Sequence, residues 1–146
     1  MNVKRILCPI DFSEYNEAAN SYASMLAKST GAEIVYLHIS LPDVPFGSYA
    51  YINPEQEKKR DLQQLKAISP DLDGVNASYF VESGPPDDRI VEFSKENNID
   101  LIVMGTHGRT GLSRVVMGSV AEAVVRKAEC PVLALKSTPK ANVATN

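Results

Sequence analysis

Hydrophobic residues along the chain fall into two alternating kinds of segment. Short apolar runs are typical of buried β-strands, and stretches in which apolar residues recur at helical spacing lie between them. The strand-like segments are residues 5–10, 34–39, 75–81, 101–104 and 131–135. Because unbroken apolar runs need cover on both faces, the pattern predicts an α/β domain, a doubly wound five-stranded parallel sheet with helices on both faces. Residues 75–81 alternate apolar and polar positions, which predicts an edge strand.

Local signals predict several boundaries of these elements. Ser13 can cap a first helix, and Gly31 can end it in the left-handed conformation. Between these two residues, Tyr15, Ala19, Tyr22 and Leu26 recur at helical spacing. Asn53 and Pro54 predict the start of a second helix after a long excursion over residues 40–53.

Length and composition exclude several classes of protein. The 146 residues fit one domain, and the formal net charge of -3 gives no indication of a nucleic-acid partner. The beginning of the chain resembles neither a signal peptide nor a membrane-spanning helix, so we expect a cytoplasmic protein without a membrane partner. Cys8 and Cys130 have no partner at metal-ligand spacing, and reduced thiols are expected.

The sheet topology indicates where a ligand would bind. In doubly wound folds, ligands bind beyond the carboxyl ends of the strands, where the strand order reverses. Asp11 and the loop after Met104 are therefore the first candidates. That loop begins Gly105-Thr106-His107-Gly108-Arg109-Thr110-Gly111, and Met117-Gly118-Ser119 leads into the next helix. Glycines and a helix N-terminus favour a phosphate, although neither GxxxxGK[ST] nor GxGxxG after the first strand is present.

An alternative interpretation of this loop is purely structural. Ser119 and Glu122 form the pattern of a capping box and could simply begin a helix. Capping leaves unexplained the four glycines that lie within the fourteen residues 105–118, directly after a central strand. We therefore favour an anion site, to which Arg109 could add charge.

The glycine spacing resembles a known nucleotide-binding motif. The pattern Gly105-x2-Gly108-x9-Gly118-Ser119 is similar to that of the universal stress protein family, in its ATP-binding subgroup. The resemblance extends over residues 9–13, 84–86, 100–108 and 130–132. It implies strand order 3-2-1-4-5, an adenine-nucleotide alpha-hydrolase-like fold, and a homodimer or higher oligomer formed through the last strand, residues 131–136.

The resemblance also implies a role for each matching residue. Asp11 would face the ribose or the metal and phosphates, and could hold Mg²⁺ through Mg-ATP. Ile39 would contact the adenine, with Pro9 and Ile10 on the same wall. The residues implied to border the ribose and phosphates are Met104, Gly105, His107 and Gly108. The residues implied to offer backbone N–H groups to the phosphates are Gly118, Ser119 and Val120.

Single residues keep structural alternatives. Asp11 could serve as a local turn residue, although we favour its ligand role. His107 has no partner that the sequence identifies, so a binding role is more consistent than catalysis. His38 ends a buried strand and is predicted to be a hydrogen-bonded structural histidine.

Three functions are compatible with these residues. The first is an ATP-binding regulatory protein of the stress response with little or no turnover, containing one domain over residues 1–137 and a flexible tail over 138–146. The second is a slow ATP hydrolase or nucleotidyl-transfer enzyme on the same fold, for which no base and nucleophile pair is identifiable. The third is a receiver-like signalling domain. Such a domain would need an exposed aspartate at the end of the third strand, where this sequence has Glu82.

Overall fold

The computed structural model describes residues 2–40, 53–68, 72–107 and 117–136. Strands and helices alternate along these residues, as the hydrophobic pattern predicts. The elements are β1 (Arg5–Pro9), α1 (Asn16–Thr30), β2 (Glu33–Ser40), α2 (Pro54–Ala67), β3 (Ala77–Ser83), α3 (Pro86–Glu96), β4 (Leu101–Gly105), α4 (Ser119–Lys127) and β5 (Val132–Leu135). The predicted tail, residues 138–146, and most of the predicted excursion lie outside the described residues.

All five strands form one parallel sheet in the order β3-β2-β1-β4-β5. This confirms both the doubly wound architecture and the strand order implied by the resemblance. Strand β1 is central, because Leu7 is in register with Val35 of β2 on one side and Ile102 of β4 on the other. Strand β3 lies at an edge, as its alternating pattern predicts.

The strands bury opposite faces against different helix pairs. Alternate side chains of the strands point to opposite faces, which separates two hydrophobic clusters. One cluster joins Ile6, Cys8, Ile34 and Tyr36 to residues of α1 and α2, including Ala19, Ala23, Ala27 and Leu65. The other joins Leu7, Val35, Leu37 and Ile102 to residues of α3 and α4, including Ile90, Phe93, Ala121 and Val124.

Helix α1 begins later than the sequence predicts, and one of its residues at helical spacing stays outside the core. The helix begins at Asn16, and neither Ser13 nor any other side chain caps it. The buried residues are the small ones, Ala19, Asn20, Ala23, Ser24 and Ala27. Tyr22 stays 39% exposed, because the small side chains allow the helix to approach the sheet closely and leave the tyrosine at the rim. The predicted stop is confirmed, since Gly31 has φ of 77°.

A buried polar network attaches α2 to the rest of the molecule. The Asn53 side chain accepts a hydrogen bond from the Glu55 N–H, which confirms the predicted helix start. At the other end, Asn20 donates to the carbonyl of Ile68 at 3.1 Å and accepts from the Tyr36 hydroxyl at 2.7 Å. Burial raises the pKa of Tyr36, so this phenol remains a neutral donor. The network therefore connects α1, β2 and the end of α2.

Both cysteines are free thiols, as predicted. Cys8 is buried in β1, and burial raises the pKa of its thiol to about 12. Cys130 is half-buried between α4 and β5, and burial raises its pKa as well. Within the described ranges, no helix is both long and apolar enough to cross a bilayer.

Candidate functional site

A cavity of about 230 Å³ opens beyond the carboxyl ends of the central strands. It lies between the ends of β1 and β4, where the strand order reverses and the crossover helices lie on opposite faces of the sheet. The lining residues are Pro9, Ile10, Asp11, Asn16, Leu37, Ile39, Pro86, Ile90, Met104, Gly105, Thr106, His107, Gly118, Ser119, Val120 and Ala121.

The predicted site residues converge on this cavity. Those that the structure describes all line it, namely Pro9, Ile10, Asp11, Ile39, Met104, Gly105, His107, Gly118, Ser119 and Val120. Gly108 and Arg109 lie outside the described residues. The geometry thus brings together residues from four separate parts of the chain, while their roles toward a ligand stay predictions.

Six further lining residues were not predicted from the sequence. They are Asn16, Leu37, Pro86, Ile90, Thr106 and Ala121. Pro86 and Ile90 belong to α3, whose start the sequence does signal through its two prolines. Helix α3 follows the edge strand β3 and not one of the central strands β1 and β4. For this reason its first turn was not expected at the site.

One half of the cavity is apolar. Leu37, Ile39, Ile90 and Met104 are each less than 10% exposed, and they converge from β2, α3 and β4. Ile10, at 3% exposed, completes this wall beside Pro9. Such a surface favours a flat, uncharged group, because burying a charge there without a partner would be costly.

The other half contains the N-terminus of α4. Its N-cap is Gly118, with φ of -60° and no side-chain cap bond, so the capping box of Ser119 and Glu122 does not form. The first hydrogen bond within the helix joins Glu122 N–H to Gly118 O at 3.0 Å. The N–H groups of Ser119, Val120 and Ala121 therefore have no acceptor within the helix, and their positive end faces the cavity.

The structure corrects the predicted role of Gly118. Its N–H donates to the Thr106 carbonyl at 2.6 Å, so this group is already engaged and does not point to a ligand as a free donor. The backbone conformation of Gly118 is also open to any residue, because φ is negative. What Gly118 contributes to the cavity wall is a surface without a side chain.

Asp11 is both a turn residue and part of the cavity wall. Its carboxylate oxygen Oδ1 accepts from the Ser13 N–H at 2.9 Å and from the Asn16 side-chain amide. The Asp11 N–H in turn donates to Asn16 Oδ1 at 3.1 Å. The structural alternative for Asp11 is thus confirmed, and it does not displace the residue from the site.

His107 and Glu82 are held by neighbouring side chains. The Nδ1 atom of His107 lies 3.0 Å from the Thr106 hydroxyl, and the imidazole lies beside the Tyr15 ring. Glu82, at the end of β3, accepts from Arg89 at 2.7 Å and is not among the cavity residues.

Within the part of the chain that the structure describes, no group of three His, Cys, Asp or Glu side chains could hold a metal ion.

The parallel sheet, with a cavity beyond the carboxyl ends of its central strands, defines a doubly wound α/β domain. The chain belongs to the universal stress protein family, whose profile matches residues 2–136. It is 37% identical to universal stress protein MJ0531 of Methanocaldococcus jannaschii, over 94% of this chain and 84% of that protein.

Solved structures have the same fold. The structure of MJ0577, a universal stress protein of Methanocaldococcus jannaschii, matches with a TM-score of 0.74 and 27% identity, over 94% of this chain and 99% of that one. A universal stress protein in complex with cAMP matches with a TM-score of 0.71 and 19% identity, over 94% and 100% of the two chains. At that identity the second likeness shows the fold alone.

The two hydrogen bonds between Asp11 and Asn16 lead to a pH-dependent prediction. Asn16→Asp places two carboxyl groups in contact, and like charges raise the proton affinity of the pair in the folded state above the unfolded value of about 3.9. Stability is then lost as pH rises through that raised value. We expect the variant to lose about 1–3 kcal/mol at pH 7 and clearly less near pH 4.

Urea unfolding at both pH values measures this difference. The matched control is Asn98→Asp, because Asn98 is exposed and lies at the far end of the sheet from the cavity. A loss of stability in Asn16→Asp that is the same at pH 4 and pH 7 would contradict the contact between the two side chains.

Proposed function

We propose that this protein binds an adenine nucleotide in the central cavity and acts as a regulatory protein of the stress response. The observation that carries the proposal is the union, in one cavity, of an apolar wall and a helix N-terminus with three backbone N–H groups. A nucleotide has the matching pair of ends, a flat base and anionic phosphates.

The residues present suit each part of such a ligand. The base would lie against Ile10, Ile39 and Ile90, and the phosphates would lie against the start of α4. Asp11 would stand near the ribose or a magnesium ion that the phosphates also hold. A single carboxylate is appropriate for a metal that arrives with its nucleotide, since Mg²⁺ is usually held by one or two carboxylates together with substrate phosphates.

The likeness to the cAMP complex supports the proposal at the level of the fold. That protein shows that a universal stress protein fold can carry an adenine nucleotide. The identity of the nucleotide in this chain is open to direct measurement, by mass spectrometry of what the purified protein releases on denaturation. We propose ATP, with ADP or AMP as the other adenine nucleotides the same site would take, and a cytoplasmic location.

The glycine at the start of α4 gives the first test of the binding site. Gly118→Val should weaken ATP binding at least about tenfold, which corresponds to about 1.4 kcal/mol, because a β-branched side chain blocks close approach to the helix N-terminus. The fold should persist, since φ of -60° suits valine. Calorimetric titration measures the affinity, and circular dichroism monitors the fold.

Gly118→Ala provides a graded control for this substitution. Alanine and valine are both poor N-caps, so the two variants share the capping penalty and differ in the bulk of the side chain. Unchanged ATP affinity in a folded Gly118→Val protein would refute the assignment of the phosphates to α4.

We propose that bound ATP turns over little. Of the described cavity residues, His107 and Asp11 are the only ionisable side chains, and both are engaged by neighbouring groups. Efficient phosphoryl transfer also needs a positioned base and a charge clamp on the transferred group. We expect phosphate release well below about 1 s⁻¹ at saturating ATP and Mg²⁺.

Phosphate release from the purified protein tests this expectation against the enzyme alternative. The variants Asp11→Asn and His107→Ala exclude a contaminating ATPase, and asparagine at position 11 keeps an oxygen acceptor for the turn. A rate above about 1 s⁻¹ that both substitutions abolish would favour an ATP hydrolase or nucleotidyl-transfer enzyme.

The last strand is the proposed surface for a homodimer. Strand β5 lies at the edge of the sheet that the described residues form. Ile102 N–H donates to Pro131 O and Thr106 N–H donates to Leu135 O, each at 3.0 Å. Because alternate residues of a strand point to one neighbour, the N–H groups of Val132 and Ala134 point to the open edge. An open edge of this kind favours pairing with a second copy.

Ala134→Pro should convert the dimer to a monomer. Proline removes one outward N–H and leaves the hydrogen bonds to β4 in place, which an edge strand tolerates. Ala134→Val is the matched control, because it changes the side chain and retains the N–H. Light scattering measures the mass, and a dimer that persists in Ala134→Pro would contradict pairing through β5. The Leu133 side chain is a poorer target, since it packs into the core.

A further inference from the structure

A buried histidine lies behind the turn that carries Asp11. His38 is 2% exposed, and its Nδ1 atom lies 2.7 Å from the carbonyl oxygen of Ile10. A carbonyl oxygen can only accept, so Nδ1 must carry the proton and donate. This confirms the hydrogen-bonded histidine predicted from the sequence, and it also fixes the tautomer of a neutral ring as Nδ1–H.

The hydrogen bond of His38 holds one end of a peptide unit whose other end is also held. The carbonyl of Ile10 accepts from His38, and the N–H of Asp11, in the same peptide plane, donates to Asn16 Oδ1 at 3.1 Å. A peptide unit is planar, so fixing both of its polar groups fixes the orientation of the whole unit. That orientation sets the direction in which Asp11 leaves the main chain.

Phe12 extends the contact between His38 and the turn. Its φ of 65° lies in the left-handed region, which is unusual for a bulky side chain. The Phe12 ring stacks on the His38 imidazole, with the ring centres 4.0 Å apart and the planes 28° from parallel. The imidazole therefore contacts one residue on each side of Asp11, Ile10 and Phe12.

On its far side, His38 faces a residue of α2. The Nε2 atom lies 3.9 Å from Asp61 Oδ2, too far for a hydrogen bond, and in the Nδ1–H tautomer it has no proton to donate to that carboxylate. The same oxygen accepts from the Ser40 hydroxyl, which holds Asp61 against the end of β2. Neither His38 nor Asp61 is among the cavity residues.

We propose that His38 is a positioning residue for the nucleotide site. The affinity test of this inference rests on the proposed function. His38 sets the Ile10–Asp11 peptide unit and supports Phe12, so Asp11 is held at the cavity wall before a ligand arrives.

Two amide replacements of His38 separate positioning from general packing. Asparagine can place an N–H donor near the position of Nδ1, whereas glutamine places its donor near Nε2 and leaves the Ile10 carbonyl without one. We expect His38→Gln to weaken binding of ATP with Mg²⁺ roughly tenfold and His38→Asn to restore it to within about threefold of the parent chain.

Tyr36→Phe is the matched control for these variants. Tyr36 lies two residues earlier on β2, is fully buried, and loses one buried hydrogen bond, to Asn20, without touching the turn. It should lower the stability of the protein and leave the affinity for ATP unchanged. Titration calorimetry measures affinity, and urea unfolding measures stability in every variant.

The ligand-free protein supplies readouts that do not depend on nucleotide binding. Nitrogen-15 spectra of the parent chain should show the Nδ1–H tautomer of His38. The amide signals of Asp11 and Phe12 should shift in His38→Gln and return toward the parent positions in His38→Asn. If no nucleotide binds the parent chain, the proposed function fails, and these spectra alone decide the positioning role.

Several results would overturn the inference. An Nε2–H tautomer in the parent chain would do so, as would unshifted Asp11 and Phe12 signals in His38→Gln. Equal losses of affinity in His38→Gln and Tyr36→Phe would reduce the role of His38 to packing.

Discussion

The central position of β1 is the constraint on which the site depends. Its parallel neighbours on both edges must be reached by right-handed crossovers in opposite directions, which places α1 and α2 on one face and α3 and α4 on the other. The crossovers leave a gap beyond the carboxyl ends of β1 and β4, and the cavity occupies it. Asp11, His107 and the N-terminus of α4 converge there because the chain has to turn away from the sheet at that point.

The architecture was predictable from sequence because its signals are local. Unbroken apolar runs identify four strands and an alternating run identifies β3, while Gly31 ends α1 through its left-handed backbone and Asn53 begins α2 through its side-chain cap. In α1, spacing alone did not separate Tyr22, which stays exposed, from Ala19, which is buried. The helix packs on β4 and β1 through alanine and serine, and a tyrosine at a periodic position stays outside. A helix can approach a sheet closely only where the side chains between them are small. A hydrophobic pattern alone does not distinguish small side chains from large ones.

The set of residues around the cavity was largely predictable, whereas their individual hydrogen bonds were not. The family motif identified glycines at the right place, but the N–H of Gly118 is taken by Thr106 across the loop. That hydrogen bond joins two residues that are distant in sequence, and their residue types do not predict it. The capping box failed for a related reason, because Ser119 is already the first helical residue and Gly118 occupies the cap. Asn16 was not predicted as a lining residue, because an asparagine near a helix start is usually explained by capping.

Asp11 shows that a structural role in a turn does not exclude a residue from the wall of the proposed ligand site. One carboxylate oxygen closes the turn through Ser13 and Asn16, and this is what holds the side chain at the cavity wall. His38 acts on the same peptide unit from the opposite side, so the turn is defined before any ligand is present. A ligand that meets a preformed group does not have to pay the entropy of ordering it. We therefore expect the buried polar contacts behind the site to contribute to ligand affinity along with the residues that line it.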